Sequence, residues 1–359
     1  MRTIWRIAKV TGLAALALLM TTVIACLGYR EYRHFVIARA TAIEPANGID
    51  EEFFGRIGGI EQWISIRGRN RENPVLLITH GGPGFAMSFL PRSYFFDWTK
   101  DFTVAMWDQR GAGKTYGRSG PLAPGVTIDR MVQDGIEVAE FVKTKLKKPK
   151  VVLIGLSWGS MIGARMAYAR PDLFCAYVGT GQVVNQFRYK RIGYEDVLAE
   201  ARRRHNAQAI KELEAAGPPP WSAASSEGVH TKWATRFEPG QMTMRDGIAL
   251  LLFESPAGPL DLRDLVRGLL SSDDFFREEQ KSVDLSRLRY FAVPFFVFQG
   301  AADEVTPVPP VRAYVDSVTA PRKELALIPN AGHNVMLTRS DEFLKLLRDH
   351  VRPLAVSPD

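Results

Sequence analysis

Three residues far apart in the chain have the types and the order needed for nucleophilic hydrolysis. Ser157 lies in the pattern Gly-Leu-Ser-Trp-Gly, Asp303 follows the apolar run Phe295–Phe298, and His333 follows a later apolar run. A serine hydroxyl becomes an effective nucleophile when a histidine accepts its proton and a carboxylate orients that histidine. We therefore predict that Ser157 is the nucleophile, His333 the general base and Asp303 the residue that orients the base.

The chain around Ser157 has the local sequence of a nucleophile elbow. Val151–Leu156 is a continuous apolar run typical of a buried strand, and helical spacing follows the serine. In such an elbow the serine sits at a strained turn between strand and helix, and flanking glycines let neighbouring backbones approach. An ordinary glycine-rich turn is the alternative, which the strand before it and the helix after it disfavour.

Position along the chain selects the base and its carboxylate. The chain has six histidines, and His333 is the one that follows both the serine and a strand-like run. Asp303 lies immediately beyond its apolar run, and Glu304 is the competing carboxylate. The order serine, acid, histidine is the one that an elbow of this type requires. An exposed loop histidine is the alternative interpretation of His333.

A glycine-rich turn, His-Gly-Gly-Pro-Gly at 80–84, follows the predicted strand Val75–Thr79. Acyl transfer needs hydrogen-bond donors for the developing oxyanion, and backbone N–H groups in such a turn can supply them. Proline has no N–H, so we predict that the N–H groups of Gly82 and Trp158 form the oxyanion hole, with Gly81 as the alternative to Gly82. A purely structural turn is the other interpretation.

The sequence predicts no metal and no cofactor. It contains no His-Glu-x-x-His or Cys-x-x-Cys pattern, and it has only two cysteines. Gly113-Lys114-Thr115 looks like the end of a phosphate loop, but the first glycine of that motif is replaced by Asp108. A nucleotide site is therefore not predicted either.

Apolar runs alternate with amphipathic stretches in the order expected of a mostly parallel sheet covered by helices. The predicted strands are Ile60–Ile66, Val75–Thr79, Thr103–Trp107, Val151–Leu156, Ala176–Gly179, Phe295–Phe298 and Glu324–Ile328, and the predicted helices are Ile128–Leu146, Ser160–Ala169 and Asp341–Val351. Between about 185 and 290 polar helical stretches replace the strand-like runs. We predict that this segment is a helical cap beside the site, with an independent helical domain as the alternative.

The N-terminal segment has the composition of a membrane helix. Residues 10–27 carry no charge, and as a helix they would span about 27 Å of hydrocarbon. We predict an uncleaved anchor within residues 1–35, with a cleaved export signal or lipid attachment at Cys26 as alternatives. Basic residues flank both ends, so the orientation of the anchor is not predicted. Most of the formal charge of +7 lies in the first 39 residues, so nucleic acid is not a predicted partner.

Together these motifs resemble the proline iminopeptidases, a peptidase branch of the α/β hydrolases. The motifs that carry the resemblance are the residues 80–84, Trp-Asp-Gln-Arg-Gly-Ala-Gly at 107–113, Gly-Leu-Ser-Trp-Gly-Ser at 155–160, Gly-Ala-Ala-Asp at 300–303 with Pro307, and Ala-Gly-His at 331–333. The resemblance spans roughly residues 50–352. It implies an α/β-hydrolase fold with a core at 50–184 and 291–352 and a cap at 185–290. It also implies the triad and oxyanion hole given above, and a bracing role for the Asp-Gln-Arg-Gly loop.

Departures from the family pattern bear on the substrate. Phe85 stands where these enzymes usually continue with glycine, which would reshape the acyl pocket. In that family, carboxylates from the cap hold the free amino terminus of the substrate, and Glu195, Glu238 and Glu254 are the candidates here, although each could be an ordinary surface glutamate.

The resulting functional prediction is a membrane-attached aminopeptidase that releases N-terminal proline or a similar residue from short peptides. A carboxylesterase or lipase-like hydrolase with the same triad is one alternative, and a non-catalytic binding protein of the same fold is another. The oligomeric state is not predicted.

Overall fold

One eight-stranded sheet forms the centre of the molecule. The computed structural model describes residues 2–43, 46–219, 221, 224–240, 242–272, 275 and 283–356. The strands are β1 (Ile49–Ile57), β2 (Ile60–Gly68), β3 (Val75–Thr79), β4 (Thr103–Trp107), β5 (Val151–Leu156), β6 (Phe174–Thr180), β7 (Phe295–Gly300) and β8 (Lys323–Ile328). Their order is β1-β2-β4-β3-β5-β6-β7-β8. Only β2 runs antiparallel to its neighbours, so the predicted mostly parallel sheet is confirmed.

Helices flank this sheet, as the alternating pattern predicts, and further helices form the N-terminal segment and the segment between β6 and β7. In chain order the helices of the described residues are α1 (Arg2–Ala40), α2 (Gly113–Ser119), α3 (Ile128–Lys145), α4 (Trp158–Ala169), α5 (Gln186–Arg203), α6 (Ala207–Ala216), α7 (Ala224–Phe237), α8 (Met244–Phe253), α9 (Pro259–Ser271), α10 (Val308–Ser317), α11 (Val335–Thr338), α12 (Ser340–Leu346) and α13 (Arg352–Val356), with a π-helical turn at Leu347–Val351 and 3₁₀ turns at Asp97–Lys100, Pro171–Leu173 and Leu285–Arg287. The predicted helix at 341–351 is therefore an α-helix followed by a π-helical turn.

Strand β1 is absent from the prediction. Its sequence places acidic residues beside apolar ones and contains the pair Phe53-Phe54, so it lacks a clean alternation of apolar and polar side chains. Gly58 and Gly59, both with positive φ, turn the chain so that β1 pairs with β2 along its whole length. Pairing with β2, rather than an internal pattern, is what makes this segment a strand.

Two apolar layers cover the two faces of the sheet. Trp107, Tyr177 and Phe295 belong to one layer, which also contains residues of α3, α4 and α10. Phe298 and Phe343 belong to the other, together with further residues of α12 and of the loop before β4. Strands buried on both faces carry continuous apolar runs, which explains why β3 and β5 could be recognised in the sequence.

Helices α5 to α9 lie between β6 and β7, in the segment predicted as a cap. Helices α5, α6 and α7 share a small apolar core of their own, which includes Leu213 and Trp233. By contrast, Leu265 of α9 packs against Ala86 and Phe89, in the loop after β3. The segment therefore has one part with its own core and one part that rests directly on the sheet domain.

Helix α1 is long and apolar enough to cross a membrane. Its most apolar 18-residue window has a mean hydropathy of 2.3, and no residue of that window is buried against the rest of the protein. Anchors and signal sequences share this length and composition. The helix therefore fits either a membrane anchor or a signal sequence.

Candidate active site

Ser157 sits at the turn between β5 and α4. Its backbone has φ 51° and ψ −119°, a conformation that costs energy for a residue with a side chain. A Cβ atom on Gly155 would lie 2.7 Å from the Cα of Ser160, and one on Gly159 would lie 2.2 Å from the carbonyl oxygen of Thr79. Both flanking positions therefore require glycine, which is the steric reason for the Gly-x-Ser-x-Gly pattern.

The structure brings the three predicted catalytic residues together. The Nε2 atom of His333 lies 2.9 Å from the Oγ atom of Ser157. On the other side of the ring, Nδ1 lies 3.1 Å from each carboxylate oxygen of Asp303. The side chain of Asp303 is fully buried and that of His333 nearly so. This arrangement can pass the serine proton to the imidazole while the carboxylate fixes the tautomer of the ring.

A second set of hydrogen bonds fixes the orientation of Asp303. Its Oδ1 atom accepts from the backbone N–H groups of Val305 and Thr306 at 3.0 and 2.7 Å, and the Thr306 hydroxyl donates to Oδ2 at 2.6 Å. Thr306 is not among the predicted site residues. An Asp with Thr three residues later in a loop after a strand is the signal that could have indicated it, because aspartate often accepts from backbone N–H groups two or three residues on.

The surroundings of His333 favour its protonated form. Burial alone would lower the pKa of the imidazole, but the carboxylate of Asp303 and its hydrogen bond, with a further contribution from Glu238, raise this pKa above its ordinary value. As the pH falls, this imidazole therefore becomes protonated, and stops acting as a base, at a higher pH than an ordinary histidine does.

Glu238, predicted to bind an amino terminus, instead lies behind the base. Its Oε2 atom accepts a hydrogen bond from the backbone N–H of His333 at 2.9 Å, and Oε1 accepts from the backbone N–H of Glu304 at 2.8 Å. The residue is 5% exposed, and among the described residues it is not part of the cavity wall beside Ser157. Burial raises the pKa of its carboxyl, and the nearby charge of Asp303 raises it further.

The remaining predicted substrate contacts also lie away from the nucleophile. Glu195 is exposed and pairs with Arg191 at 3.4 Å on the same helix. Glu254 pairs with Arg33 of α1 at 2.5 Å. Phe85 is half-buried beyond the glycine turn and does not line the cavity wall among the described residues. These positions depend on helix rotation and packing, which a single sequence does not reveal.

A cavity of about 280 Å³ opens over the nucleophile. Ser157, His333 and Gly82 line it from the sheet domain, and α7 lines it from the cap. The walls combine apolar residues with a few polar ones: Gln182, Val183, Val184, Asn185, Lys190, Glu227, His230, Thr231, Thr235, Val305, Thr306, Pro307, Pro310 and Val311. Its volume is at the lower end of ligand pockets, so it suits a small acyl group.

Among the described residues that line the cavity, Glu227 carries a carboxylate. It lies on α7 at helical spacing from Thr231 and Thr235, which also line the cavity. The carboxylate pairs with the ammonium group of Lys190 at 2.5 Å, and both side chains are largely shielded from solvent. Glu227 is not among the predicted site residues. The pattern that could have indicated it is the polar face of a cap helix whose packed side carries Trp233.

The glycine turn lies against the nucleophile. A Cβ atom on Gly81 would approach the Cβ of Ser157 to 3.3 Å, and Gly82 has φ 120° and lines the cavity. Trp158 begins α4 directly after the nucleophile. Of the predicted oxyanion donors, Trp158 directly follows Ser157 and Gly82 lines the same cavity, while the alternative donor Gly81 lies closest to the serine.

The Asp-Gln-Arg-Gly loop braces this region, as the resemblance implies. The indole N–H of Trp158 donates to Gln109 at 3.1 Å, and the backbone N–H of Gln109 donates to Nε2 of His80 at 2.9 Å. Buried Asp108 accepts from the N–H groups of Met87 and Ser88 at 2.8 and 3.0 Å. Burial raises the pKa of Asp108 to about 6.

The described part of the chain contains no cluster of three or more His, Cys, Asp or Glu side chains that could hold a metal ion.

Comparison with known proteins places the chain in a family. The Alpha/beta hydrolase family matches residues 75–346. The chain is 27% identical to the probable aminopeptidase YbaC of Bacillus subtilis (strain 168) over 304 residues, which cover 82% of this chain and 94% of that protein.

Solved structures share the fold. A membrane phospholipase A described as a bacterial virulence factor has a TM-score of 0.62 at 16% identity, covering 99% of both chains. A proline iminopeptidase-related protein of Thermus thermophilus has a TM-score of 0.54 at 20% identity, covering 86% of this chain and 99% of that one. With an eight-stranded sheet, a strained serine turn and a family match over most of its length, this chain belongs to the alpha/beta hydrolase family.

Proposed function

We propose that the protein is a serine hydrolase in which Ser157 is the nucleophile, His333 the general base and Asp303 its orienting carboxylate. The hydrogen bond of 2.9 Å between His333 and Ser157 carries this proposal. The hydroxyl oxygen attacks the substrate carbonyl carbon while its proton passes to Nε2 of the imidazole. The imidazolium then donates that proton to the leaving group, and water hydrolyses the acyl-enzyme by the same steps.

The tetrahedral intermediate carries an oxyanion beside the glycine turn. We assign its stabilisation to the backbone N–H groups of Gly82 and Trp158, because Trp158 follows the nucleophile directly and Gly82 lines the cavity that contains it. The complete set of nucleophile, base and orienting residue argues against a non-catalytic binding protein of the same fold.

The proposed substrates are short peptides with a free N-terminal residue, in particular proline. The supporting observation is the Glu227 carboxylate in the wall of the cavity that contains Ser157. This carboxylate is paired with the ammonium group of Lys190 at 2.5 Å, so a substrate amine has to share the carboxylate with that lysine or displace it. A substrate amine in a partly desolvated cavity needs such a carboxylate. The name of the Bacillus subtilis relative agrees with this substrate class.

An ester substrate is the second candidate. Much of the cavity wall is apolar, including Val183, Val184 and Val305. The likeness to a membrane phospholipase A extends over the full chain and so includes the N-terminal helix. Both observations favour hydrolysis of an ester with an apolar acyl group by an enzyme that is attached to a membrane through α1.

The decisive experiment compares prolyl arylamide with its N-acetylated form. We expect the ratio of kcat/KM, free amine over blocked amine, to be far above one, and we expect Glu227→Gln to raise KM for the free amine selectively. Glu195→Gln is the matched control, because Glu195 is an exposed cap glutamate outside the cavity wall. A ratio near one, with efficient turnover of short p-nitrophenyl esters unaffected by Glu227→Gln, would replace the peptidase by the esterase.

A further inference from the structure

We propose that the cap segment 242–271 rests on the lipid surface of the membrane that α1 enters. The proposal concerns helices α8 and α9 and the apolar side chains that they expose. It rests on the membrane attachment of α1 and not on which bond the enzyme cleaves.

Exposed apolar side chains are concentrated in this segment. Outside α1, thirteen large apolar residues of the described chain are exposed, and eight of them fall within this stretch of thirty residues. They are Met242, Met244, Ile248, Leu252, Leu260, Val266, Leu269 and Leu270. Scattered exposed apolar residues are normal on soluble proteins, but a concentration of this kind marks a surface with a partner.

Helix α8 presents a continuous apolar stripe. Met244, Ile248 and Leu252 are spaced four residues apart and are 84%, 51% and 44% exposed. This spacing places them on one side of the helix. Exposed Arg245 lies beside the stripe, and the acidic Asp246 of the first turn accepts a hydrogen bond at the start of the helix. Because Arg245 and Asp246 are both exposed and offset each other in charge, the apolar stripe is the feature of this helix that favours a lipid interface.

Helix α9 has the same character. Its buried side contains Asp264, Leu265 and Gly268, which pack toward the sheet domain. Leu260, Val266, Leu269 and Leu270 are exposed, together with Arg263 and Arg267. Its two acidic residues are half-buried (Asp261) and buried (Asp264), so the fully exposed charged residues of this helix are the arginines.

The contact between α1 and α8 identifies lipid as the partner that covers the exposed apolar side chains of α8 and α9. Arg30 of α1 donates hydrogen bonds to the backbone carbonyls of Leu252 and Ala257 at 2.9 and 2.6 Å. The ring of Tyr29 packs edge-on against Phe253, with 5.2 Å between ring centroids. These contacts begin within three residues of the end of the apolar run 10–27. A helix that leaves the bilayer at this point holds α8 at the membrane surface.

A depth measurement on the full chain tests the proposal. The native cysteines are replaced by Cys26→Ser and Cys175→Ser, and one new cysteine, Ile248→Cys or Val266→Cys, carries an environment-sensitive fluorophore. The protein is reconstituted into vesicles of phosphatidylcholine and phosphatidylglycerol that contain nitroxide-labelled lipids. We expect quenching from both positions, because an interfacial helix buries its apolar face about 5–10 Å into the headgroup boundary.

Tyr290→Cys is the matched control. Tyr290 is 76% exposed and precedes β7, at the opposite end of the strand from the site, so its label should stay unquenched. Equal quenching at positions 248, 266 and 290, or quenching at none of them, overturns the proposal. A fluorescence change in detergent that grows with protein concentration also overturns it, because a second copy then covers the face.

Flotation of the labelled protein with the vesicles distinguishes a failure of the proposed cap contact from a failure of the proposed membrane anchor. Protein that floats while its 248 and 266 labels stay in water refutes the cap contact and leaves the anchor intact. Protein that does not float refutes both. Thermal unfolding monitored by circular dichroism verifies that each labelled variant is folded.

Discussion

The carboxylate of Glu238 accepts a hydrogen bond from the backbone N–H of His333 at 2.9 Å. The other carboxylate oxygen accepts from the backbone N–H of Glu304 at 2.8 Å, next to Asp303. One buried residue at the end of cap helix α7 therefore joins both loops that carry the base and its orienting acid. The cap contributes to the position of the proposed catalytic residues as well as to the cavity wall.

Replacement of Glu238 by Gln should shift the acid limb of the pH–activity profile to lower pH. The Glu238 charge contributes to the raised pKa of His333, and because burial raises the pKa of Glu238 itself to about 7, the shift should be largest in the upper part of the acid limb, where this carboxyl is still ionised. The amide can accept only one of the two backbone hydrogen bonds, so we also expect a loss of about 1–3 kcal/mol in the free energy of unfolding. Glu195→Gln should change neither quantity. An unshifted acid limb in a folded Glu238→Gln variant would restrict Glu238 to a structural role.

The wild-type enzyme should lose activity as the pH falls through the pKa of His333. Only the neutral imidazole accepts the serine proton, and its pKa is raised above the ordinary value of 6.5. Activity is therefore complete above this raised pKa and declines below it. The measurement is kcat/KM for a substrate whose chemical step limits the rate. A constant value from pH 5 to 8 would exclude His333 as the base.

Substitution Ser157→Ala should abolish labelling by a fluorophosphonate probe. Without its nucleophile the enzyme should lose on the order of 10⁴-fold or more in turnover, while thermal unfolding changes little. Ser119→Ala is a suitable control, because Ser119 is half-buried and its hydroxyl donates to the backbone carbonyl of Glu61, away from the cavity. Labelling that persists in Ser157→Ala would assign the nucleophile to another residue.

Substitution Asp303→Asn should impair turnover by roughly 10⁴-fold with the fold preserved, because an amide no longer selects the productive tautomer of His333. Glu304→Gln is the matched control. Although it is the adjacent carboxyl, the imidazole contacts Asp303 and not the Glu304 side chain. The opposite ranking of the two variants would show that Glu304 orients the base.

Substitution Arg110→Ala should destabilise the fold. The guanidinium group contacts both carboxylate oxygens of Asp134 at 2.9 and 3.0 Å, and the Asp134 side chain is fully buried. After the substitution Asp134 keeps Arg130 and Gln62 as partners, so its buried charge stays partly compensated, and we expect a loss of about 1–3 kcal/mol in the free energy of unfolding. Urea denaturation measures this loss. Arg118→Ala, which breaks an exposed pair with Glu61, should have a much smaller effect, and equal losses would contradict the argument.

Local patterns in the sequence were sufficient to predict seven of the eight strands and to propose the catalytic residues. Strands buried on both faces, such as β3 and β5, need continuous apolar runs, and a serine elbow needs glycine wherever a Cβ atom would collide with backbone. Ser157 could be identified because it follows β5 directly, and His333 because it lies in the loop after the last strand, β8. Strand β1 could not, because its pairing with β2 defines it.

The tertiary structure alone decided which glutamates approach the site. The apolar contacts of Trp233 set the rotation of α7 against α5 and α6, and that rotation turns Glu227 toward the cavity. At the end of the same helix, Glu238 reaches the backbone of the His333 loop, although the two residues are 95 positions apart in the chain. Helical spacing shows which residues share a face, but packing between distant segments determines what that face contacts.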